Sequence, residues 1–131
     1  MTFTVTTAPV VTFNCPTDKT EAACQTQGTI DASFSSWLTT ASASGGCNGS
    51  FTRTPASPVA PSACGGNVEV TWTYTSSCET TYSCTRTFTV TAAPVVSFNC
   101  PTAKTETACQ TQGAIDASFS SWLATASASG G

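Results

Sequence analysis

The chain has 131 residues and a net charge of −3, with only 8% charged residues and no histidine. The lack of histidine excludes Ser/His/Asp and Cys/His catalysis, and four Lys and Arg residues are too few for the basic patch that nucleic acids or anionic membranes require. Low charge together with 9% aromatic residues favours a folded all-β protein over a disordered chain.

The sequence repeats itself at an interval of 85 residues. Residues 2–46 align with residues 87–131 with six differences over 45 positions, and Phe3 corresponds to Phe88. An interval of this length suits a complete small domain better than one turn of a solenoid.

The repeat predicts three segments with different roles. Residues 1–7 would be the last strand of a preceding repeat, residues 8–92 a complete repeat, and residues 93–131 the first half of the next one. Because Gly131 corresponds to Gly46 in the middle of the complete repeat, we expect the natural polypeptide to continue beyond it.

The first predicted elements are short strands. Residues 2–6 alternate Phe and Val with Thr, which is typical of a strand with one buried face. Residues 10–14 predict the first strand of the complete repeat. Between them, residues 7–9 lack the Gly and Ser run of a flexible linker, so consecutive repeats should hold a restricted orientation.

Apolar residues at helical spacing then predict one short helix of about three turns. These residues are Ile30, Phe34, Trp37, Leu38 and Ala41. Thr29 or Asp31 is a candidate N-cap, and Gly45 and Gly46 are candidates for the end of the helix. An apolar stripe of this period usually faces a core, and the alternative is an exposed aromatic platform for a sugar.

The last part of the repeat predicts an antiparallel hairpin. Residues 67–76 alternate Val, Trp and Tyr with polar residues, and residues 84–91 alternate Phe and Val with Thr. The preceding connection, residues 47–66, is rich in Pro and Gly and contains one plausible strand at residues 51–54. Short strands with Greek-key spacing and one inserted helix predict an immunoglobulin-like β-sandwich.

Each repeat contains six cysteines, which predicts three disulfides and an oxidising, extracellular or periplasmic setting. They are Cys15, Cys24, Cys47, Cys64, Cys78 and Cys84, and in the second copy Cys100 and Cys109. Their spacing matches no structural zinc signature, and no acidic cluster offers the oxygen ligands that calcium needs. We therefore expect neither a metal nor another cofactor.

The cysteine pairing follows in part from the elements that it would connect. A disulfide would hold the long connection, which has few apolar residues to order it, and another would link the first strand to the last. The predicted pairs are Cys47 with Cys64, Cys15 with Cys84 and Cys24 with Cys78. Sequence alone leaves the other combinations open.

The acidic residues of the repeat form no catalytic motif. They are Asp18, Glu21, Asp31, Glu69 and Glu79. Asp18 is replaced by Ala103 in the second copy, and Asp31 is explained as a helix cap. We expect no enzyme activity and no catalytic residue.

The head of the repeat, Pro-Val-Val-Thr-Phe-Asn-Cys-Pro at residues 9–16, and its tail at residues 84–90 resemble the hyalin-repeat family of immunoglobulin-like extracellular modules. The interior is similar to the hyalin-repeat-like units of giant surface adhesins of gliding bacteria, at residues 34–38, 45–48, 64–66 and Trp72. The helix and four further cysteines depart from the vertebrate-type pattern. The resemblance implies pairing of the head and tail cysteines, export by the type IX secretion system and a cell-surface location.

These observations together predict a structural repeat module of a secreted cell-surface adhesin or filament that gives reach, mechanical stability and attachment. Its partners would be neighbouring identical repeats in the same chain and a surface polysaccharide or substratum, without nucleic acid or membrane insertion. One alternative is a carbohydrate-binding module of an exported protein that uses Trp37, Trp72 and Tyr74. Another is a purely structural extracellular fibre with no ligand.

Overall fold

A computed structural model describes residues 1–131, which divide into two compact units, residues 1–92 (unit 1) and 93–131 (unit 2). Unit 1 contains β1 (Thr12–Asn14), β2 (Lys19–Glu21), α1 (Gln27–Leu38), β3 (Ser42–Ser44), β4 (Ser50–Thr54), β5 (Gly66–Ser76) and β6 (Glu79–Val90). Unit 2 contains β7 (Ser97–Asn99), α2 (Gln112–Leu123) and β8 (Ser127–Ser129). The protein consists mostly of strands with two short helices, which agrees with the all-β prediction.

Unit 1 has one four-stranded sheet and one two-stranded ribbon. The sheet order is β2-β6-β5-β4, with β5 antiparallel to both β4 and β6 and with β2 parallel to β6. The ribbon pairs β1 with β3 in antiparallel fashion, so that Phe13 lies opposite Ala43. The predicted hairpin is therefore present as β5 and β6, the two longest strands.

The two faces of the hairpin differ in the way that its alternation predicts. Val70, Trp72 and Tyr74 of β5 are buried on the inner face. On the outer face, hydroxyl groups face one another across the strands, with 2.7 Å between Thr71 Oγ1 and Thr85 Oγ1. Threonine suits this position because its branched side chain favours the extended backbone and its hydroxyl remains hydrated.

Helix α1 has the predicted length, but both of its ends differ from the prediction. Thr26, rather than Thr29 or Asp31, is the N-cap, and its hydroxyl accepts a hydrogen bond from the Thr29 N–H at 3.2 Å. The helix ends at Leu38, before Gly45 is reached. Gly45 instead has a φ of +90° beside the Val10 carbonyl, where a Cβ atom would collide with that oxygen.

The core forms between α1 and the inner face of the sheet. Its buried residues are Ile30, Phe34, Trp37, Val70, Trp72, Phe88 and Val90. The ring centroids of Trp37 and Trp72 are 5.2 Å apart in an edge-to-face arrangement. Trp37 Nε1 also donates a hydrogen bond to the Thr17 carbonyl at 2.8 Å, which satisfies its polar atom.

The ribbon extends this core beyond the end of α1. Phe13 of β1 packs against the core and stacks on Tyr82, with 5.9 Å between ring centroids. Phe51 of β4 meets Phe13 edge to face at 6.4 Å. The layer opposite the four-stranded sheet therefore consists of α1 together with the β1–β3 ribbon.

The N-terminal strand predicted at residues 2–6 does not form. Phe3 and Val5 are 94% and 80% exposed, and these residues belong to no sheet. The same sequence, Thr-Phe-Thr-Val-Thr, recurs at residues 87–91, and its first four residues form the buried end of β6. The difference arises because β6 has β2 and β5 as hydrogen-bonding neighbours, whereas residues 2–6 have no such partners.

Unit 2 reproduces the first elements of unit 1. Strands β7 and β8 form an antiparallel ribbon, and α2 has Thr111 as its N-cap. No sheet covers the apolar face of α2, so that Phe119 is 56% exposed, whereas its counterpart Phe34 is 3% exposed.

This pair of phenylalanines provides a matched test of the core. Phe34→Ala should lower the free energy of unfolding of unit 1 by about 3 to 5 kcal/mol, because it removes a buried ring and leaves a cavity. Phe119→Ala should change the free energy of unfolding by no more than about 0.5 kcal/mol, as is usual for an exposed side chain. Urea denaturation followed by tryptophan emission measures both, and equal losses would show that α1 does not pack as described.

Candidate functional site

One disulfide joins the beginning of unit 1 to its last strand. Cys15, directly after β1, is bonded to Cys84 of β6, with 6.3 Å between the Cα atoms and a sequence separation of 69. Cys84 lies opposite Trp72 on the neighbouring strand and packs against the core. This is the pairing that the sequence analysis predicts between the first and last strands.

The segment after Cys15 is fastened to β6 by further polar contacts. Arg86 Nε donates to the Pro16 carbonyl at 2.9 Å, and the Thr87 N–H donates to Asp18 Oδ1 at 2.9 Å. Strand β2 then pairs in parallel with the last three residues of β6. Sequence reasoning missed β2, because Lys-Thr-Glu has no apolar alternation that would mark a strand.

A second pair of cysteines meets at the turn between β5 and β6. The interaction of the Cys47 thiol with the neighbouring Cys78 thiol, and to a smaller extent burial, raises the pKa of Cys47. The backbone holds the two segments together, since the Ser77 N–H donates to the Cys47 carbonyl at 2.9 Å.

The structure corrects two of the predicted pairs, Cys47 with Cys64 and Cys24 with Cys78. Cys47 lies beside the last residues of β5 and Cys64 precedes its first residue, so the 11-residue strand separates them by about 35 Å. Cys24 and Cys78 lie at opposite ends of the 12-residue β6. A disulfide needs Cα atoms within about 7 Å. In unit 2, Cys100 and Cys109 are exposed.

The three aromatic residues considered for sugar binding belong to the core. Trp37, Trp72 and Tyr74 are all buried, and the Tyr74 hydroxyl donates to the Gly45 carbonyl at 2.7 Å. A sugar-binding platform needs an aromatic face that is open to solvent. The hypothesis that these residues bind a glycan stays a prediction, and their burial weighs against it.

Four of the acidic side chains of the repeat, Asp18, Glu21, Asp31 and Glu79, accept hydrogen bonds within the fold. Asp31 accepts from Gln27 Nε2 at 2.8 Å along α1. Glu79 accepts from the Val11 N–H at 3.4 Å and from the Tyr82 hydroxyl at 3.0 Å, which raises the pKa of Tyr82.

Glu21 connects β2 to the helix. The Ser33 hydroxyl donates to its carboxylate, and Gln25 Nε2 and Lys19 Nζ approach it at 3.2 and 3.3 Å. These contacts, that of Ser33 foremost, hold the pKa of Glu21 below its ordinary value. The same arrangement recurs in unit 2, where the Ser118 hydroxyl and then Lys104 and Gln110 lower the pKa of Glu106 to about 2.

No group of three or more Cys, Asp or Glu side chains is placed to hold a metal ion, and neither helix is long and apolar enough to cross a membrane. Comparison of the chain with protein-family models, curated proteins and solved structures found no significant match. The resemblance to hyalin repeats therefore stays a prediction.

The serine contact to Glu21 leads to a titration test. Ser33→Ala should raise the pKa of Glu21 toward its ordinary value of 4.5, because the principal hydrogen bond to the ionised form is lost. The stabilisation that this contact gives is present above the unfolded pKa and is lost as the pH falls through the lower folded pKa. Titration of the carboxyl ¹³C shifts measures the change.

Two variants complete this test. Ser118→Ala should raise the pKa of Glu106 from about 2 in the same way. Ser35→Ala, on the exposed side of α1, should leave both values unchanged. A Glu21 pKa that does not respond to Ser33→Ala would refute the assigned contact.

Proposed function

We propose that the chain is part of a repeat array in a secreted cell-surface filament or adhesin, in which each unit supplies length and resists mechanical extension. The observation that carries this proposal is the Cys15–Cys84 disulfide in an 85-residue repeat. This disulfide links Cys15, which directly follows β1 of the ribbon, to β6, the last strand of unit 1.

The position of this disulfide determines which residues bear a pulling force. Tension applied at the two ends of unit 1 passes from Cys15 directly to Cys84, so that the residues between them are bypassed. The force then acts on residues 85–91. Their withdrawal would expose Phe88 and Val90, which are fully or almost fully buried, and this hydrophobic cost opposes extension.

The parallel pairing of β2 with β6 adds a second resistance. Lys19, Thr20 and Glu21 lie opposite Phe88, Thr89 and Val90. After reduction of the disulfide, tension reaches β2 from its N-terminal side and β6 from its C-terminal end, so that pulling would then move the two parallel strands past each other. Their hydrogen bonds must then break together rather than one after another.

We propose that unit 1 is a variant of the immunoglobulin-like sandwich. Two features support this: the disulfide joins the β1–β3 ribbon to the larger sheet, and the buried Trp72 lies next to it. A buried tryptophan against a disulfide between sheets is a hallmark of immunoglobulin domains. In this variant α1 would occupy the place of further strands in the second layer.

The open face of α2 supports a continuous array. Its apolar residues correspond to those that β5 and β6 cover in unit 1, and Phe119 borders a cavity of about 230 Å³ together with Ile115 and Trp122. A following segment equivalent to residues 47–91 would cover this face. Each repeat would then be a complete unit, similar to the repeats of hyalin-like surface adhesins.

The surface chemistry fits an extracellular fibre better than an enzyme. The outer face of the sheet carries hydroxyl groups and few charges, and the disulfide suits an oxidising compartment. Attachment would involve surface polysaccharide or substratum. The burial of Trp37, Trp72 and Tyr74 weighs against a dedicated carbohydrate-binding module.

Single-molecule pulling of the chain from its two ends tests the mechanical part of the proposal. Reduction should lengthen the unfolding step of unit 1 by about 240 Å, because 69 residues at about 3.5 Å each become extensible. A cysteine-free domain pulled in series provides the control. Equal steps with and without reductant would contradict a mechanical role for the disulfide.

Electron microscopy of the cells that produce the protein tests its location. The strands of β5 and β6, 11 and 12 residues long, give a domain length of about 35 to 40 Å. Thin surface filaments with this axial repeat, labelled by an antibody against unit 1, are the expected result. Label found only on compact particles in the medium would refute the filament.

A further inference from the structure

We propose that the four remaining cysteines of unit 1 form two further disulfides, Cys47 with Cys78 and Cys24 with Cys64. This pairing differs from the one that the sequence suggests and does not depend on the proposed adhesin function. The backbone of Cys47 is held beside Cys78, because the Cys47 N–H donates to Ser76 Oγ at 3.0 Å and the Ser77 N–H donates to the Cys47 carbonyl at 2.9 Å. The argument for the other pair comes from the contacts that flank it.

Cys24 follows β2 and Cys64 precedes β5, and these two strands flank the same end of β6. Glu21 of β2 and Gly66 of β5 both lie opposite Val90, on its two sides. Since neighbouring strands are about 4.8 Å apart, the backbones of β2 and β5 are about 10 Å apart at this level. Cys24 and Cys64 therefore leave the sheet at the same end.

Contacts beyond the sheet bring the two segments closer. The Ala23 N–H donates to Thr91 Oγ1 at 2.8 Å, and a Cβ on Gly65 would lie 2.8 Å from the Cα of Ala92. Ala23 and Gly65, the neighbours of the two cysteines, thus lie against Thr91 and Ala92, the two residues that follow β6.

The side chain of Gln27 joins the two segments directly. Its Nε2 donates to the Pro61 carbonyl at 3.0 Å, and its Oε1 accepts from the Ala63 N–H at 2.8 Å. Gln27 is three positions after Cys24, and Ala63 is adjacent to Cys64. Each cysteine therefore lies between a contact with the residues that follow β6 and a contact that joins the two segments to each other.

The backbone at Cys24 indicates that a cysteine is needed there. Its φ is +64°, and the corresponding Cys109 has a φ of +65°. Glycine or asparagine would adopt this left-handed conformation at lower cost. Both copies nevertheless have cysteine at this position, which is explained if the sulfur has a partner.

Each oxidation is a thiol–disulfide exchange with a small-molecule disulfide such as oxidised glutathione. One protein thiolate attacks the small disulfide and releases one small thiol, which leaves a mixed disulfide. The second protein thiolate then displaces the other small thiol. The protein pair loses two electrons and two protons, and the oxidant becomes two thiols. Cys24, Cys64 and Cys78 are exposed to such an oxidant.

Two double variants distinguish the pairings in the full chain, with Cys100→Ser and Cys109→Ser in the background. Cys24→Ser with Cys64→Ser removes one proposed pair and should leave no unpaired cysteine after oxidation. Cys24→Ser with Cys78→Ser should leave two, Cys47 and Cys64, which lie at opposite ends of β5. These would be detected after denaturation as alkylated thiols or as glutathione adducts by intact mass.

Peptide mapping of the oxidised parent chain gives an independent readout. Trypsin leaves Cys24 with Cys47 and Cys64 with Cys78 on shared peptides, so chymotryptic cleavage at Trp37 and Tyr74 is needed to separate them. Linked peptides containing Cys24 with Cys64 are the expected result. Two unpaired cysteines in the Cys24→Ser, Cys64→Ser variant with none in the Cys24→Ser, Cys78→Ser variant would overturn the proposal. Four unpaired cysteines in the parent chain would overturn it as well.

Discussion

The packing of α1 on the inner face of β5 and β6 is the interaction on which unit 1 depends. Trp37 meets Trp72 and Phe34 meets Phe88, both with 5.2 Å between ring centroids. This contact buries the apolar side of a hairpin that would be marginal alone in water. It also places the end of β6 between β2 and β5, and so determines where the chain leaves the unit.

The covalent links follow from this arrangement. The core holds β6 in place, and the Arg86 and Asp18 contacts bring the segment after β1 against it, where Cys15 meets Cys84. The same register separates the two ends of β5, so Cys47 lies near Cys78 instead of Cys64. The disulfide between this segment and the last strand of the unit is the basis of the proposed mechanical role.

The two units form an internal comparison. Their helices, Gln27–Leu38 and Gln112–Leu123, have nearly the same sequence, the same length and equivalent N-caps. Only α1 is buried, because only unit 1 has strands equivalent to β5 and β6. Helix formation here is a local property, determined by capping and spacing, whereas burial depends on strands that follow much later in the chain.

The sequence by itself determined the 85-residue repeat, the β5–β6 hairpin and the three-turn helix with its buried stripe, because each is encoded by local periodicity or by comparison of the two copies. It also predicted the link from Cys15 to Cys84 from the strands that this link would join, but it left the other pairings open. The tertiary structure decided the parallel β2–β6 pair and the neighbours of Cys24, Cys47, Cys64 and Cys78. Periodicity states which side chains face inward, but strand order and register decide which distant residues meet.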